Sequence, residues 1–205
     1  MNGQQKQYNI FDIGHWFKIF LLCVITIFTA FTTQAAEPEK HLANLKQLTF
    51  GGQNAEAYFS YDGSELIFQS TRDSFQCDAI FRMNIDGSDV TLLSSGKGVT
   101  TCSFISPDSK SIIYASTHLN DDACPPKPDH SKGYVWPLYK SYDIFKADPD
   151  GRNIVRLTKT EGYDAEGVFS PQGDKIIFTS LRTGDLELFV MKPDGSEVEI
   201  GRAHV

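Results

Sequence analysis

The stretch AEGVFSPQGDKIIFTSLRTGDLELFVMKPDG, residues 165–195, decides the fold because short apolar runs alternate in it with turns. The runs VFS, KIIFTS and LFVMK are rich in β-branched and aromatic residues, which favour strands. The segments between them contain Pro, Asp and Gly. Asp tolerates the left-handed region and Gly adopts positive φ at little cost, so these segments favour turns. No apolar period of 3.6 residues persists, and the stretch therefore predicts strands and no helix.

The same pattern occurs three times in the chain. The other two copies are residues 55–63 (AEAYFSYDG), 65–70 (ELIFQS) and 79–87 (AIFRMNIDG), and residues 101–109 (TCSFISPDS), 111–116 (SIIYAS) and 143–151 (DIFKADPDG). Phe81, Phe145 and Phe189 are equivalent and lie 64 and 44 residues apart, the longer spacing containing an insertion after His118. Four antiparallel strands repeated about every 40–50 residues are typical of propeller blades. We predict an all-β chain, a β-propeller of which about three four-stranded blades are present.

The turns of these repeats carry a family resemblance. Residues 169–173 (FSPQG), 106–108 (SPD) and 60–63 (SYDG) resemble the Ser-Pro-Asp-Gly turn of the TolB-like PD40 (WD40-like) repeat β-propellers. The resemblance extends over about residues 45–198. It implies a propeller, and a cell-envelope protein as a partner, but one fold hosts many unrelated functions.

The N-terminus predicts export. An apolar run of 13 residues, 19–31, follows Lys18 and precedes small residues, so residues 1–35 are expected to be a cleaved signal peptide. The run is shorter than the roughly 20 residues of a membrane span, so contact with a membrane is expected only if the signal stays uncleaved. We expect a bacterial periplasmic or secreted protein with a short segment, residues 36–44, before the blades.

The ends of the repeat region predict an incomplete ring. Three blades are fewer than the four or more of known propellers, so we expect a chain truncated at its C-terminus. Residues 45–49 (LKQLT) resemble residues 154–158 (IVRLT), the outermost strand of the second blade, and are expected to pair with the last blade. Residues 199–205 (EIGRAHV) depart from the repeat and are expected to be an artefactual tail.

Candidate ligand-binding residues fall on one face, where the loops between second and third strands and between blades emerge. Glu56, Cys102 and Glu166 begin the inner strands at equivalent positions, and the two carboxylates favour a cation or a basic ligand. The insertion, residues 118–140, adds charged and aromatic residues of the kind that anchor interfaces. Its candidates are Asp122, His130, Tyr134, Trp136 and Tyr139. The alternative is that the carboxylates are merely solvated and that the insertion is a cover packed on the second blade.

Cysteine and arginine placement gives further expectations. An oxidising compartment predicts one disulfide and one thiol among Cys77, Cys102 and Cys124. We favour Cys102–Cys124, which would hold the insertion over the channel, and Cys77–Cys102 is the competing pair. The insertion also carries potential zinc ligands, but their spacing matches no structural zinc site, so neither metal nor cofactor is expected; these residues are His118, Asp121, Asp122, Cys124 and His130. Arg72 and Arg182 follow equivalent strands and are expected to form ion pairs between blades.

Composition and motifs limit the function classes. The formal net charge is −7, which argues against a nucleic-acid partner. The sequence contains no Gly-x-Ser-x-Gly elbow, Walker loop or His-Glu-x-x-His motif. We predict an exported, non-catalytic binding module that recognises a protein, peptide or glycan through the channel-mouth face. The alternatives are the substrate-gating propeller of a prolyl-oligopeptidase-like serine peptidase whose catalytic domain is missing, and a propeller that binds metal through Glu56 and Glu166.

Overall fold

The computed structural model describes residues 40–201 and arranges them as three four-stranded antiparallel sheets. Blade 1 contains β1 (Gln53–Phe59), β2 (Glu65–Thr71), β3 (Ala79–Asn84) and β4 (Thr91–Leu92). Blade 2 contains β5 (Thr100–Ile105), β6 (Ile112–Ser116), β7 (Asp143–Ala147) and β8 (Val155–Arg156). Blade 3 contains β9 (Asp164–Phe169), β10 (Ile176–Ser180), β11 (Glu187–Met191) and β12 (Glu199–Ile200). The prediction of three blades in an all-β fold is confirmed.

The structure describes the chain ends only in part. The predicted signal peptide and residues 202–205 lie outside the described residues. Glu199 and Ile200, which the sequence assigned to the tail, pair with Val190 and Phe189 as strand β12. Residues 45–49 form no strand, so the predicted pairing with the last blade is absent from the described part of the chain. No helix that could span a membrane occurs between residues 40 and 201.

The chain comprises two compact units, residues 1–46 and residues 47–205, and the second unit contains all three blades. In the first unit, residues 40–46 are described and form no strand.

Apolar side chains on both faces of blade 2 form the core. Successive residues of a strand point to opposite faces, so Ile112 and Tyr114 pack against blade 1 while Ile113 packs against blade 3. The cluster between blades 1 and 2 includes Ile67, Ile80, Leu93, Ile112, Tyr114 and Phe145. The cluster between blades 2 and 3 includes Ile113, Ile144, Leu157, Ile176, Phe178 and Phe189. Burial on both faces explains why the strands read as continuous apolar runs.

One face of blade 3 stays open. Ile113 and Ile144 of blade 2 are 0% exposed because blade 3 covers them. Their equivalents in blade 3, Ile177 and Leu188, are 37% and 52% exposed, since no further sheet follows within the described residues. The three blades therefore form an open arrangement.

The Asp-Gly turns lock neighbouring blades together. Gly151, in the β7–β8 turn of blade 2, has a φ of 80°, and a Cβ at this position would lie 2.1 Å from the carbonyl oxygen of Leu93. In the equivalent turn of blade 3, Gly195 lies close to Leu157, and in that of blade 1, Gly87 lies close to Leu48. In blades 2 and 3 the turn thus covers the residue that directly follows the preceding outer strand. Leu48 holds this place for blade 1 without being part of a strand.

Replacing Gly151 with alanine is expected to lower the free energy of unfolding by about 2 kcal/mol. The new Cβ meets backbone that cannot move aside cheaply, and positive φ itself costs an alanine roughly 1–2 kcal/mol. Urea denaturation followed by fluorescence measures the change. Gly63→Ala is the matched control, because Gly63 has a φ of 72° and nothing within 4 Å of the added Cβ. Equal losses in the two variants would contradict the locking role of the turn.

Candidate functional site

A bulge recurs near the start of each inner strand. Pairing of inner and second strands shifts register at Glu56, Cys102 and Glu166. These residues have φ values of 50°, 50° and 58°, in the left-handed region that residues other than glycine rarely adopt. A bulge redirects the side chain it carries, and the three positions repeat from blade to blade as the sequence predicted.

The side chains at the three bulges influence one another electrostatically. The pKa of Cys102 is raised to about 11, mainly by burial and to a smaller extent by the charges of Glu56 and Glu166, while a hydrogen bond with Thr101 lowers it. Tyr58 donates a hydrogen bond to Oε2 of Glu56 at 2.6 Å, and this bond raises the pKa of the tyrosine. The thiol is therefore protonated at neutral pH, and both carboxylates lie within electrostatic range of it.

The insertion and the blades enclose a cleft of about 390 Å³. The insertion supplies Cys124, Pro125, Lys127, Tyr134, Trp136, Pro137 and Tyr139 to its lining. The blades and their loops supply Ala55, Glu56, Gln69, Gln76, Cys77, Asp78, Val99, Thr101, Tyr142 and Tyr163. The cleft is rich in aromatic rings and contains a few polar groups, which is the composition of ligand sites in proteins.

A polar network connects blades 1 and 2 where they line the cleft. Gln69 donates a hydrogen bond from Nε2 to Asp78 Oδ2 at 2.9 Å and accepts one from Thr101 Oγ1 at 2.6 Å. Burial raises the pKa of Asp78, although the bond from Gln69 opposes this shift. The sequence analysis missed Gln69 and Asp78. Gln69 interrupts a buried apolar run of β2, and that interruption was the available signal.

The disulfide joins Cys77 to Cys124, with their Cα atoms 5.9 Å apart, and leaves Cys102 free and buried. The expected Cys102–Cys124 pair is therefore wrong, and the competing Cys77–Cys102 pair is also absent. Cys102 belongs to the bulge of an inner strand and is 6% exposed, whereas Cys77 lies in the β2–β3 loop. The carbonyl oxygen of Asp122, in the insertion, accepts a hydrogen bond from the Gly98 amide at 2.9 Å. This bond attaches the insertion to the loop between β4 and β5.

The predicted site residues come together in part. Glu56, Tyr134, Trp136 and Tyr139 line the cleft. Trp136 is 48% exposed, and Tyr163, which also lines the cleft, donates a hydrogen bond to Glu166 at 3.4 Å. Glu166 does not line the cleft itself but contacts it through Tyr163. It also accepts a hydrogen bond from Thr179 at 2.9 Å.

Two other predicted residues lie outside the lining. Asp122 forms an ion pair with Lys97 at 2.7 Å, and His130 stacks on Tyr134 with ring centroids 5.9 Å apart. Both residues form contacts that hold the insertion in place, but neither lines the cleft. The insertion also packs on blade 2, because the Tyr139 ring contacts the buried Tyr142 with centroids 6.0 Å apart, as the alternative of a cover predicted.

The two repeated arginines stay within their own blades. Arg182 forms an ion pair with Asp164 of the same blade at 3.2 Å, and Arg72 donates a hydrogen bond to Asn54 of its own blade at 3.0 Å. The expected ion pairs between blades are wrong, because both partners lie at the adjoining ends of neighbouring strands in one sheet. Within residues 40–201, no group of three or more His, Cys, Asp or Glu is placed to hold a metal ion.

The chain is similar to TolB proteins in sequence and in structure. No protein-family model matches it. A TolB homolog of Chlorobium luteolum is 28% identical, over 63% of this chain and 34% of its own length. The solved structure of a TolB assigned in Agrobacterium tumefaciens has a TM-score of 0.56 and 24% identity, over 75% of this chain and 50% of its own. TolB from Acinetobacter baumannii has a TM-score of 0.55 and 22% identity, over 75% of this chain and 33% of its own.

These similarities settle the fold. The chain spans between about a third and a half of the length of the TolB proteins just named. The chain has the β-propeller fold of the TolB structures, and the resemblance to TolB propellers drawn from its repeated turns is confirmed.

Proposed function

We propose that this protein is a non-catalytic binding module that acts outside the cytoplasm and holds a segment of a partner protein in the cleft beneath its insertion. The observation that carries the proposal is the cleft itself, which is lined by the exposed rings of Tyr134 and Trp136 and by polar groups of blades 1 and 2. Aromatic rings of this kind offer large contact areas at a low cost in conformational entropy. The disulfide and the signal-like N-terminus both fit an oxidising compartment.

A binding role fits the chemistry of the cleft better than a catalytic one. A cysteine nucleophile acts as its thiolate, but the free thiol of Cys102 lies outside the cleft lining and is buried with its pKa raised to about 11. The network of Gln69, Asp78 and Thr101 satisfies the polar groups between the blades. These features favour a preformed surface that binds without covalent chemistry.

Replacing Trp136 with alanine is expected to weaken partner binding at least about tenfold, because anchor residues of this type dominate interface energetics. Selection of a phage-displayed random decapeptide library on the oxidised protein provides the ligands. Affinities of the enriched peptides for wild type and variant are then measured by isothermal titration calorimetry.

Tyr61→Ala is the matched control. Tyr61 is 53% exposed, close to the value for Trp136, but lies in the β1–β2 turn away from the cleft lining. Peptides that bind wild type and both variants equally would remove the cleft from the binding site. A library that yields no enriched peptide would overturn recognition of a protein segment.

A further inference from the structure

We infer that the cleft selects a positively charged side chain, a lysine or arginine of the bound segment. The inference rests on the proposed function and specifies the chemistry of its ligand. It follows from the combination of carboxylates and aromatic rings at one cleft, and from the absence of a cation paired with those carboxylates in the described part of the chain.

The carboxylates of the cleft lack partners of opposite charge. Glu56 and Asp78 line the cleft, and Glu166 adjoins it through Tyr163. None of the three forms an ion pair with a residue between 40 and 201, where seven other acidic side chains do so. Their hydrogen bonds come from uncharged groups of Tyr58, Gln69, Tyr163 and Thr179. A carboxylate that a ligand desolvates is costly unless the ligand brings a compensating charge.

The one basic residue of the lining does not supply that charge. Lys127 lies on the insertion, is exposed, and pairs with neither Glu56 nor Asp78. The whole chain has a formal net charge of −7, which attracts cationic ligands and repels anionic ones.

The aromatic rings suit the same ligand. Tyr134 and Trp136 expose their rings to the cleft, and an ammonium or guanidinium group within about 6 Å of such a ring is attracted to its face. A neutral sugar could stack on these rings but would leave the carboxylates uncompensated. A lysine or arginine satisfies both features, because its alkyl stem packs on the rings while its charged end reaches the carboxylates.

The protein uses this chemistry internally. The guanidinium carbon of Arg182 lies 5.0 Å and 4.7 Å from the ring centroids of Phe178 and Phe189 while the same group pairs with Asp164. Arg72 lies 5.2 Å from each of the Phe68 and Phe81 rings. A cation held between aromatic rings and an acceptor is thus a stable arrangement in this repeat.

The display experiment tests the inference with the intact, oxidised chain. We expect enriched decapeptides to contain a lysine or arginine, and the tightest peptide is then compared with versions carrying norleucine in place of lysine or citrulline in place of arginine. These neutral replacements are expected to weaken binding about tenfold in low salt. Glu56→Gln keeps the acceptor for Tyr58 and removes the charge, so it is expected to weaken the charged peptide to a similar degree and the neutral one little.

The control is Glu199→Gln, which removes one charge from the exposed strand β12. Binding that depends on Trp136 but is unchanged by norleucine, citrulline or Glu56→Gln would overturn the inference and leave the proposed function intact. Binding that is independent of Trp136 would overturn the proposed function instead. Equal effects of Glu56→Gln and Glu199→Gln would show that only the net charge of the protein matters, and would also overturn the inference.

Discussion

Removal of the Cys77–Cys124 disulfide is expected to lower the free energy of unfolding by about 4 kcal/mol. The bond closes a loop of 47 residues, and in the chain-entropy model a loop of that length restricts the unfolded chain by about this amount. The two cysteines link the β2–β3 loop of blade 1 to the insertion of blade 2, so the bond also restrains both sides of the cleft. Urea denaturation of the Cys77→Ala/Cys124→Ala double variant against the oxidised wild type measures the loss.

The double variant is also expected to bind cleft ligands more weakly. The insertion would keep its ion pair between Lys97 and Asp122, which is exposed and contributes little. The remaining cysteine gives the control, because Cys102→Ala leaves the disulfide in place and should preserve binding. A double variant as stable as wild type, or a larger loss in Cys102→Ala, would contradict the pairing described here.

Replacement of Asp164 with alanine is expected to cost about 3 kcal/mol. The side chain of Asp164 is 2% exposed and that of Arg182 is 16% exposed, so the substitution leaves a largely buried guanidinium without its charged partner. Ser180 loses its acceptor in the same step. Thermal or urea denaturation of the full chain reports the change in stability.

The chain itself provides the control for this substitution. In blade 1 the equivalent position is Asn54, whose Oδ1 accepts hydrogen bonds from Ser70 at 2.9 Å and from Arg72 at 3.0 Å. Asp164→Asn is therefore expected to cost much less than Asp164→Ala, since the amide oxygen can replace the lost acceptor. Identical losses for the two variants would show that the carboxylate charge, and not the acceptor geometry, holds the arginine.

Repetition made the fold predictable from the sequence. Three copies of one pattern place Phe81, Phe145 and Phe189 at the same point of successive blades. A strand prediction made for one repeat can therefore be checked against the other two repeats. The equivalence of Glu56, Cys102 and Glu166 was visible for the same reason. Their positive φ values were not visible, because glutamate and cysteine carry no preference for that region.

The cleft was less predictable because it depends on segments outside the repeat. The path of the insertion is set by contacts such as the one between Gly98 and Asp122, and no repeated partner reveals them. The path of the insertion also brings Cys124 to Cys77 and not to Cys102. Gln69 belongs to a repeat, but its role depends on its hydrogen bonds with Asp78 and Thr101. The bond with Thr101 forms only when blades 1 and 2 pack together.

The Asp-Gly turns have a consequence for how stability is distributed along the chain. The turns of blades 2 and 3 rest on the residue that directly follows the preceding outer strand, so each blade interacts mainly with its immediate neighbours. The total free energy then approximates a sum of single-blade terms and one term for each interface, as in linear repeat proteins. Within residues 40–201, blade 2 takes part in two such interfaces and blade 3 in one, so in this part of the chain cooperativity decreases from blade 2 toward the exposed side chains of Ile177 and Leu188. Gain or loss of a blade during evolution would therefore alter stability in discrete steps without disturbing distant blades.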